Sequence, residues 1–313
     1  MKKTSFLKLL FIISLLITPV AKAATVPSLS RNNSANYSDY RANLRNHINE
    51  QITQKTQIAK KEEPKTSTVW ASFGHGRTKN TSSEAFGSSL SDSLSIGTDA
   101  VYRKWTLGAT VAGIHSSSKS FITPPGRTVS NAALIQPFAS YMLTDYMSLF
   151  GAGGVTYSDA HSTNQSTPSN GHQITKNSIG TFGTIFIFPI IQEIVLPTFR
   201  ISTTRVESKT NSYIWSNTFY PAVRSHQQTL DPTFRISFLS LDNFVPYIEY
   251  ATHWTVNRSR SASTEPRRMG QTFAGGGTIF LSNNYQLGFF YSRVSLSTPG
   301  NRDYVSLRIS KNF

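Results

Sequence analysis

The chain closes on ten residues that alternate without a break, Tyr304-Val305-Ser306-Leu307-Arg308-Ile309-Ser310-Lys311-Asn312-Phe313. Val305, Leu307, Ile309 and Phe313 share one face, and Ser306, Arg308, Ser310 and Asn312 share the other. A period of two defines a β-strand whose faces meet different surroundings. The same pattern recurs along the chain. Twelve candidate strands begin near Thr68, Ser93, Trp105, Asn131, Met147, Thr175, Ile194, Thr233, Phe244, Gln271, Tyr285 and Asp303. Nowhere is there the apolar run of about 20 residues that a membrane-spanning helix requires.

The links between these strands alternate in length. Arg103-Lys104, Thr144-Asp145, Pro189 to Gln192, Leu241-Asp242-Asn243 and Asn283-Asn284 are short. Gly76 to Ser91, Ser117 to Val129, Ser158 to His172, Glu207 to Gln228, Val256 to Arg268 and Ser297 to Arg302 are long. Short turns at one end and long loops at the other mark a transmembrane barrel. In lipid each unpaired backbone group costs several kcal/mol, so the sheet has to close on itself. The expected fold class is all-β: a 12-stranded antiparallel transmembrane β-barrel with an α-helix in its lumen.

Side-chain facing follows. Tyr285, Leu287, Phe289 and Tyr291 share a face, as do Trp105, Leu107, Ala109 and Val111. Ile135, Pro137, Ala139, Tyr141 and Leu143 lie opposite Gln136 and Ser140; Phe244, Pro246, Ile248, Tyr250 and Trp254 lie opposite Glu249 and His253. Ile185-Phe186-Ile187-Phe188 is apolar on both faces and leaves its facing open. An Arg or Lys on the lipid face at mid-membrane costs about 2–4 kcal/mol. Asp99, Arg200, Arg235, Glu249 and Arg308 are therefore expected to line the lumen. Lys311 has lipid-facing parity near the turn end, where the cost falls to about 0–1 kcal/mol. Arg293 has that parity at the opposite rim, where it meets either a lipid phosphate or water.

The N-terminus reads as an export signal. Lys2, Lys3 and Lys8 precede an apolar core from Leu9 to Ile17, and Ala21-Lys22-Ala23 is an A-x-A-like cleavage site. Residues 1–23 are thus a signal peptide for Sec export, 24–65 an N-terminal segment, and 66–313 the barrel. Within 24–65, Ser38 and Asp39 offer N-caps, and Tyr40, Leu44, Ile48 and Ile52 form a narrow stripe on a helix over about 38–61 that Pro64 stops. About 23 residues at 1.5 Å each span about 35 Å, enough to thread the barrel. A mostly polar helix of this kind needs a partner, and the lumen offers one. A short displayed peptide and a periplasmic linker remain open as readings of 24–65.

Charged residues make up 15% of the chain and aromatics 12%, against about 25% charged in soluble domains. Four of the 31 basic residues fall in the signal peptide, leaving 27 against 16 acidic ones. That excess fits basic loops and a basic lumen, or an anionic partner such as lipopolysaccharide. No nucleic-acid-binding module is present. Zero cysteines exclude disulfides and thiol chemistry.

Helix, twelve strands and a terminal Phe together resemble the translocator domain of autotransporters. The resemblance is carried by Val69-Trp70-Ala71-Ser72-Phe73-Gly74, Ser95-Ile96-Gly97-Thr98-Asp99, Leu107-Gly108-Ala109, Val245-Pro246-Tyr247-Ile248-Glu249-Tyr250, and the closing Leu307-Arg308-Ile309 with Phe313. It implies a bacterial outer-membrane location and a monomeric barrel in contact with outer-membrane lipid and lipopolysaccharide. It further implies periplasmic chaperones, and insertion by the barrel-assembly machinery through the signal Val305, Leu307, Ile309 and Phe313. Only 24–65 separates the expected cleavage site from the barrel, without repeat or protease motif. The expectation is a translocator or surface-exposed structural protein without a large passenger; a passive porin-like channel and an adhesin-like surface protein are the alternatives. Asn32-Asn33 precedes the helix, so the Asn-pair self-cleavage of some autotransporters is not carried over.

Motifs for other chemistry are weak. His115-Ser116-Ser117 and His161-Ser162 place His beside Ser near outer strand ends, without an evident acid partner, so an outer-membrane hydrolase is not expected. The seven His residues show no metal-ligand spacing along the chain. Ala274-Gly275-Gly276-Gly277 lies in a strand without a following helix and reads as close packing rather than a phosphate loop. No cofactor, metal or catalytic residue is assigned.

Overall fold

Period-two alternation bounded by polar turns yields long antiparallel strands. In a computed structural model the chain is described over residues 67–80, 87–121, 126–164, 170–188, 194–215, 218–239, 243–259, 269–281, 284–295 and 300–313. The expected signal peptide and the helix over 38–61, with Tyr40, Leu44, Ile48 and Ile52, lie outside the described residues.

The strands in chain order are β1 (Ser67–Asn80), β2 (Gly87–Tyr102), β3 (Trp105–Ser120), β4 (Gly126–Thr144), β5 (Met147–Asn164), β6 (Asn170–Ile187), β7 (Val195–Thr210), β8 (Tyr213–Trp215), β9 (Thr218–Tyr220), β10 (Val223–Phe238), β11 (Phe244–Arg258), β12 (Met269–Phe280), β13 (Tyr285–Ser295) and β14 (Gly300–Asn312). All but β8 and β9 join one closed barrel in which every neighbour is antiparallel and β1 pairs with β14. The register at the seam runs from Thr68↔Asn312 to Asn80↔Gly300. The amide of Phe313 donates to the Ser67 carbonyl at 2.9 Å. The Thr68 hydroxyl donates to Asn312 Oδ1 at 3.0 Å.

At the turn end, strand starts agree with the alternation: β3 at Trp105, β5 at Met147, β11 at Phe244 and β13 at Tyr285. Arg103 (φ 54°) and Asn284 (φ 64°) take the left-handed conformation that such tight turns need. At the other end the expected long loops are largely strand. β1 runs to Asn80 and β2 begins at Gly87; β10 begins at Val223 rather than near Thr233. The barrel strands run from 11 to 19 residues, and all but β13 are longer than the 9–11 or so that cross a bilayer. At the loop end they stay paired in register as long hairpins. The stretch between β7 and β10 also folds back as the β8–β9 hairpin, where Tyr213 and Tyr220 stack with ring centroids 4.9 Å apart. Burial, and behind it the neighbouring Tyr220, pushes the Tyr213 phenol above its ordinary value.

The ambiguous run on β6 is settled by packing. Ile185 points inward against Phe150, with Ile187 beside them. Phe182 is exposed on the outer face, and Phe186 stacks on Phe199 of β7 at 6.4 Å.

Candidate functional site

The wall is polar within and apolar without. Val69, Phe73, Leu94, Ile96, Leu107, Val111, Ile135, Val155, Phe182, Ile248, Phe273, Leu307 and Ile309 are all exposed, Val155 and Phe273 at 58%. The buried side chains are largely Ser, Thr, Gln, Arg, Asp and Glu. A water-soluble barrel would invert this arrangement. Along β14 and the residue after it the belt carries Val305, Leu307, Ile309 and Phe313, a span of nine residues, close to what one bilayer crossing takes. Its turn-end edge carries aromatic side chains. Trp105 and Tyr141 pack with centroids 4.7 Å apart, and Tyr285 and Phe313 both receive the Lys311 ammonium, at 5.2 and 4.9 Å from their ring centres. Lys311 thus keeps its charge at the edge of the belt, resting on aromatic faces.

Asp99, Arg200, Arg235, Glu249 and Arg308 all lie on the inner face, each at most 7% exposed. They fall into two groups on opposite parts of the wall. Arg200, Arg235 and Glu249 stand on the consecutive strands β7, β10 and β11. Arg235 is level with Glu249 across the β10–β11 pair, and its guanidinium lies 3.6 Å from the Tyr247 ring centre. Arg200 Nη2 donates to Thr233 Oγ1 at 3.2 Å. At the seam, Arg308 of β14 lies over Trp70 of β1, and Asp99 of β2 is level with Thr68. Nearer the hairpin end the inner wall carries a polar cluster around Asp231. Asp231 Oδ1 is 2.9 Å from His253 Nδ1, His253 Nε2 is 2.7 Å from Thr272 Oγ1, and Thr229 Oγ1 donates to Asp231 Oδ2 at 3.1 Å. Asp231 was not singled out from the sequence; its signal there was polar-face parity on β10.

Two glycines show how the large inner side chains fit. A Cβ on Gly97 would strike the Trp70 indole, and a Cβ on Gly74 would strike the Tyr304 phenol. In the glycine run of β12, Gly276 lies against Tyr247 inside, and Gly277 against Phe244 and Phe289 outside. The reading of that run as close packing matches these contacts.

Above the belt the outer face turns polar at one level. His75, Asp92, His115, Asn131 and Asp159 are successive register partners across β1 to β5. His75 Nδ1 is 2.7 Å from Asp92 Oδ1, and His115 Nδ1 is 2.8 Å from Asn131 Oδ1. This ladder resolves the His-Ser pairs. His115 faces outward to Asn131, whereas Ser116 faces inward and bonds Ser130 Oγ at 3.0 Å. Adjacent strand residues point to opposite faces, which separates His115 from Ser116 and His161 from Ser162; Ser117 shares the face of His115 and accepts from Arg127 Nε at 3.3 Å. Arg293 faces Asp303 of β14 across the rim, Nε to Oδ1 at 3.8 Å, and Tyr291 donates to the same oxygen at 2.9 Å. A carboxylate is therefore among its neighbours, which neither of its two expected settings included.

No protein-family model and no curated protein matches the chain by sequence. Solved structures do match by fold. The translocator domain of the autotransporter NalP from Neisseria meningitidis superposes with a TM-score of 0.69 at 10% identity, over 85% of this chain and 96% of that one. The β-domain of the Bordetella autotransporter BrkA gives 0.64 at 13% identity, over 79% of this chain and 100% of that one. An outer membrane channel from Pseudomonas putida F1 gives 0.52 at 10% identity, over 80% and 97%. In fold, the described part of this chain is similar to the closed barrels of autotransporter β-domains.

Proposed function

We propose that the chain is a bacterial outer-membrane protein of autotransporter type, acting as translocator or surface-exposed structural protein rather than as an enzyme. The observation that carries this reading is the inverted polarity of a closed barrel: apolar side chains outward over one bilayer height, Arg, Asp, Glu and hydroxyl groups inward. Backbone pairing that leaves no edge is what a strand protein needs in lipid. In this reading the turn end faces the periplasm, and the extended hairpins stand outside the cell. The N-terminal signal directs Sec export, and periplasmic chaperones deliver the chain to the barrel-assembly machinery, which reads Val305, Leu307, Ile309 and Phe313. Residues 24–65 occupy the lumen, where the inner Arg, Asp and Glu groups offer partners to a polar helix.

Conductance in planar bilayers tests the arrangement. Full-length protein is expected to conduct poorly, and a deletion of 24–65 to open the pore. Equal conductance of the two would overturn the lumen helix. High, steady conductance of the intact protein would favour a passive channel instead, a reading supported by the fold likeness to the Pseudomonas putida channel.

A further inference from the structure

The outward ladder ends at β5 in a group of a different kind. His161 of β5 and His172 of β6 are direct register partners, and their rings stack 4.5 Å apart at an interplanar angle of 7°. Asp159 precedes His161 by two residues and so shares its face. Its Oδ1 is 2.8 Å from His172 Nε2 and 3.4 Å from His161 Nε2. One ligand atom from each residue lies within 4.8 Å of the other two. Asp159 and His161 meet through the strand alternation of β5, and antiparallel pairing brings His172 to them.

We propose that Asp159, His161 and His172 bind a divalent transition-metal ion, with zinc, nickel and copper as the fitting class. Two imidazoles and one carboxylate suit these borderline ions, whereas calcium and magnesium take oxygen sets. Bonds of about 2.0–2.1 Å to nitrogen and oxygen place tetrahedral ligand atoms about 3.3 Å apart. The Asp159–His161 spacing already meets that value, and the imidazole side chains, 64% and 51% exposed, have room to rotate onto a common centre. Three protein ligands leave a fourth position open to water or to a donor from outside, as in reactive rather than closed structural sites. The position above the apolar belt keeps the ion in water and out of lipid. The site requires the β5–β6 register and no property of the lumen, so it stands apart from the translocator reading.

Untagged full-length protein, folded in detergent and stripped with chelator, is titrated with zinc against a chromogenic competitor, and with copper under electron paramagnetic resonance. One ion per chain and a copper spectrum with two nitrogen ligands are expected. Substitutions outside the ligand set cost about 10–100-fold in metal affinity, so His161→Ala and His172→Ala should each weaken zinc at least about tenfold. Asp159→Asn should weaken it less, and His75→Ala not at all. Heat-modifiable migration confirms that each variant is folded; His161→Gln and His172→Gln replace any that is not. Zinc affinity unchanged in the doubly substituted His161→Ala/His172→Ala protein would overturn the proposal. So would absence of saturable binding by the wild type at millimolar zinc.

Discussion

The Arg308 guanidinium lies 4.2 Å from the Trp70 ring centre, a contact that ties the last strand to the first inside the barrel. Both side chains are shielded from solvent, where such a pairing is worth about 2 kcal/mol. Trp70→Leu is expected to lower the urea midpoint of the folded barrel by more than Val69→Leu, its outward neighbour. Tryptophan fluorescence and migration on unheated gels read the difference.

Gly97 gives way to the same indole. Gly97→Val should displace Trp70 and cost about 1–3 kcal/mol, the usual range for overpacking. Gly113→Val is the control: among the described residues nothing lies within 4 Å of where its Cβ would stand, on the outer face of β3. That substitution should leave the midpoint in place.

Leu307 sits within the outer belt, between Val305 and Ile309, and is 53% exposed. Leu307→Arg should cost about 2–4 kcal/mol in lipid vesicles, whereas Asn301→Arg, beyond the belt on the same strand and face, should cost about 0–1. Equal costs would show that Leu307 does not meet hydrocarbon.

Arg235 and Arg205 are both well-contacted arginines in opposite settings. Arg235 is buried on the Tyr247 ring. Arg205 bonds Glu207 at 2.7 Å with both side chains more than half exposed. Arg235→Ala should destabilise the barrel by roughly 2–4 kcal/mol, through lost ring contact and stem packing. Arg205→Ala should change stability by less than about 1 kcal/mol. Equilibrium unfolding in urea separates them.

Phe313 donates its amide to Ser67 while its side chain stays exposed on the outer edge. Deleting it should lower the yield of heat-modifiable protein in outer-membrane fractions. In detergent, refolding of the deleted chain should fall much less, because only one backbone bond is lost.

Alternation was legible wherever the outer face meets apolar surroundings, since there every second residue must be apolar. That is why Trp105, Met147, Phe244 and Tyr285 mark strand starts correctly. The hairpin end was not legible. Ser88, Ser89, Ser117, Ser118 and Thr128 lie in strands beyond the apolar belt, where Ser and Thr occupy both faces and the period disappears. Such stretches read as loops. The β6 run Ile185 to Phe188 failed for the opposite reason: an apolar patch inside, at Phe150 and Ile185, made both faces apolar. The His75–Asp92–His115–Asn131–Asp159 ladder and the approach of His172 to Asp159 and His161 had no linear signature. Their spacing is set by the lengths of the intervening hairpins, which register fixes and sequence pattern does not.

Thr68 and Asn312 bond to each other although 244 positions separate them. Until the final strand arrives, the growing sheet has two bare margins, each able to recruit a foreign strand. Ring closure therefore waits on β14, and a chain that lacked it would keep two bare strand margins.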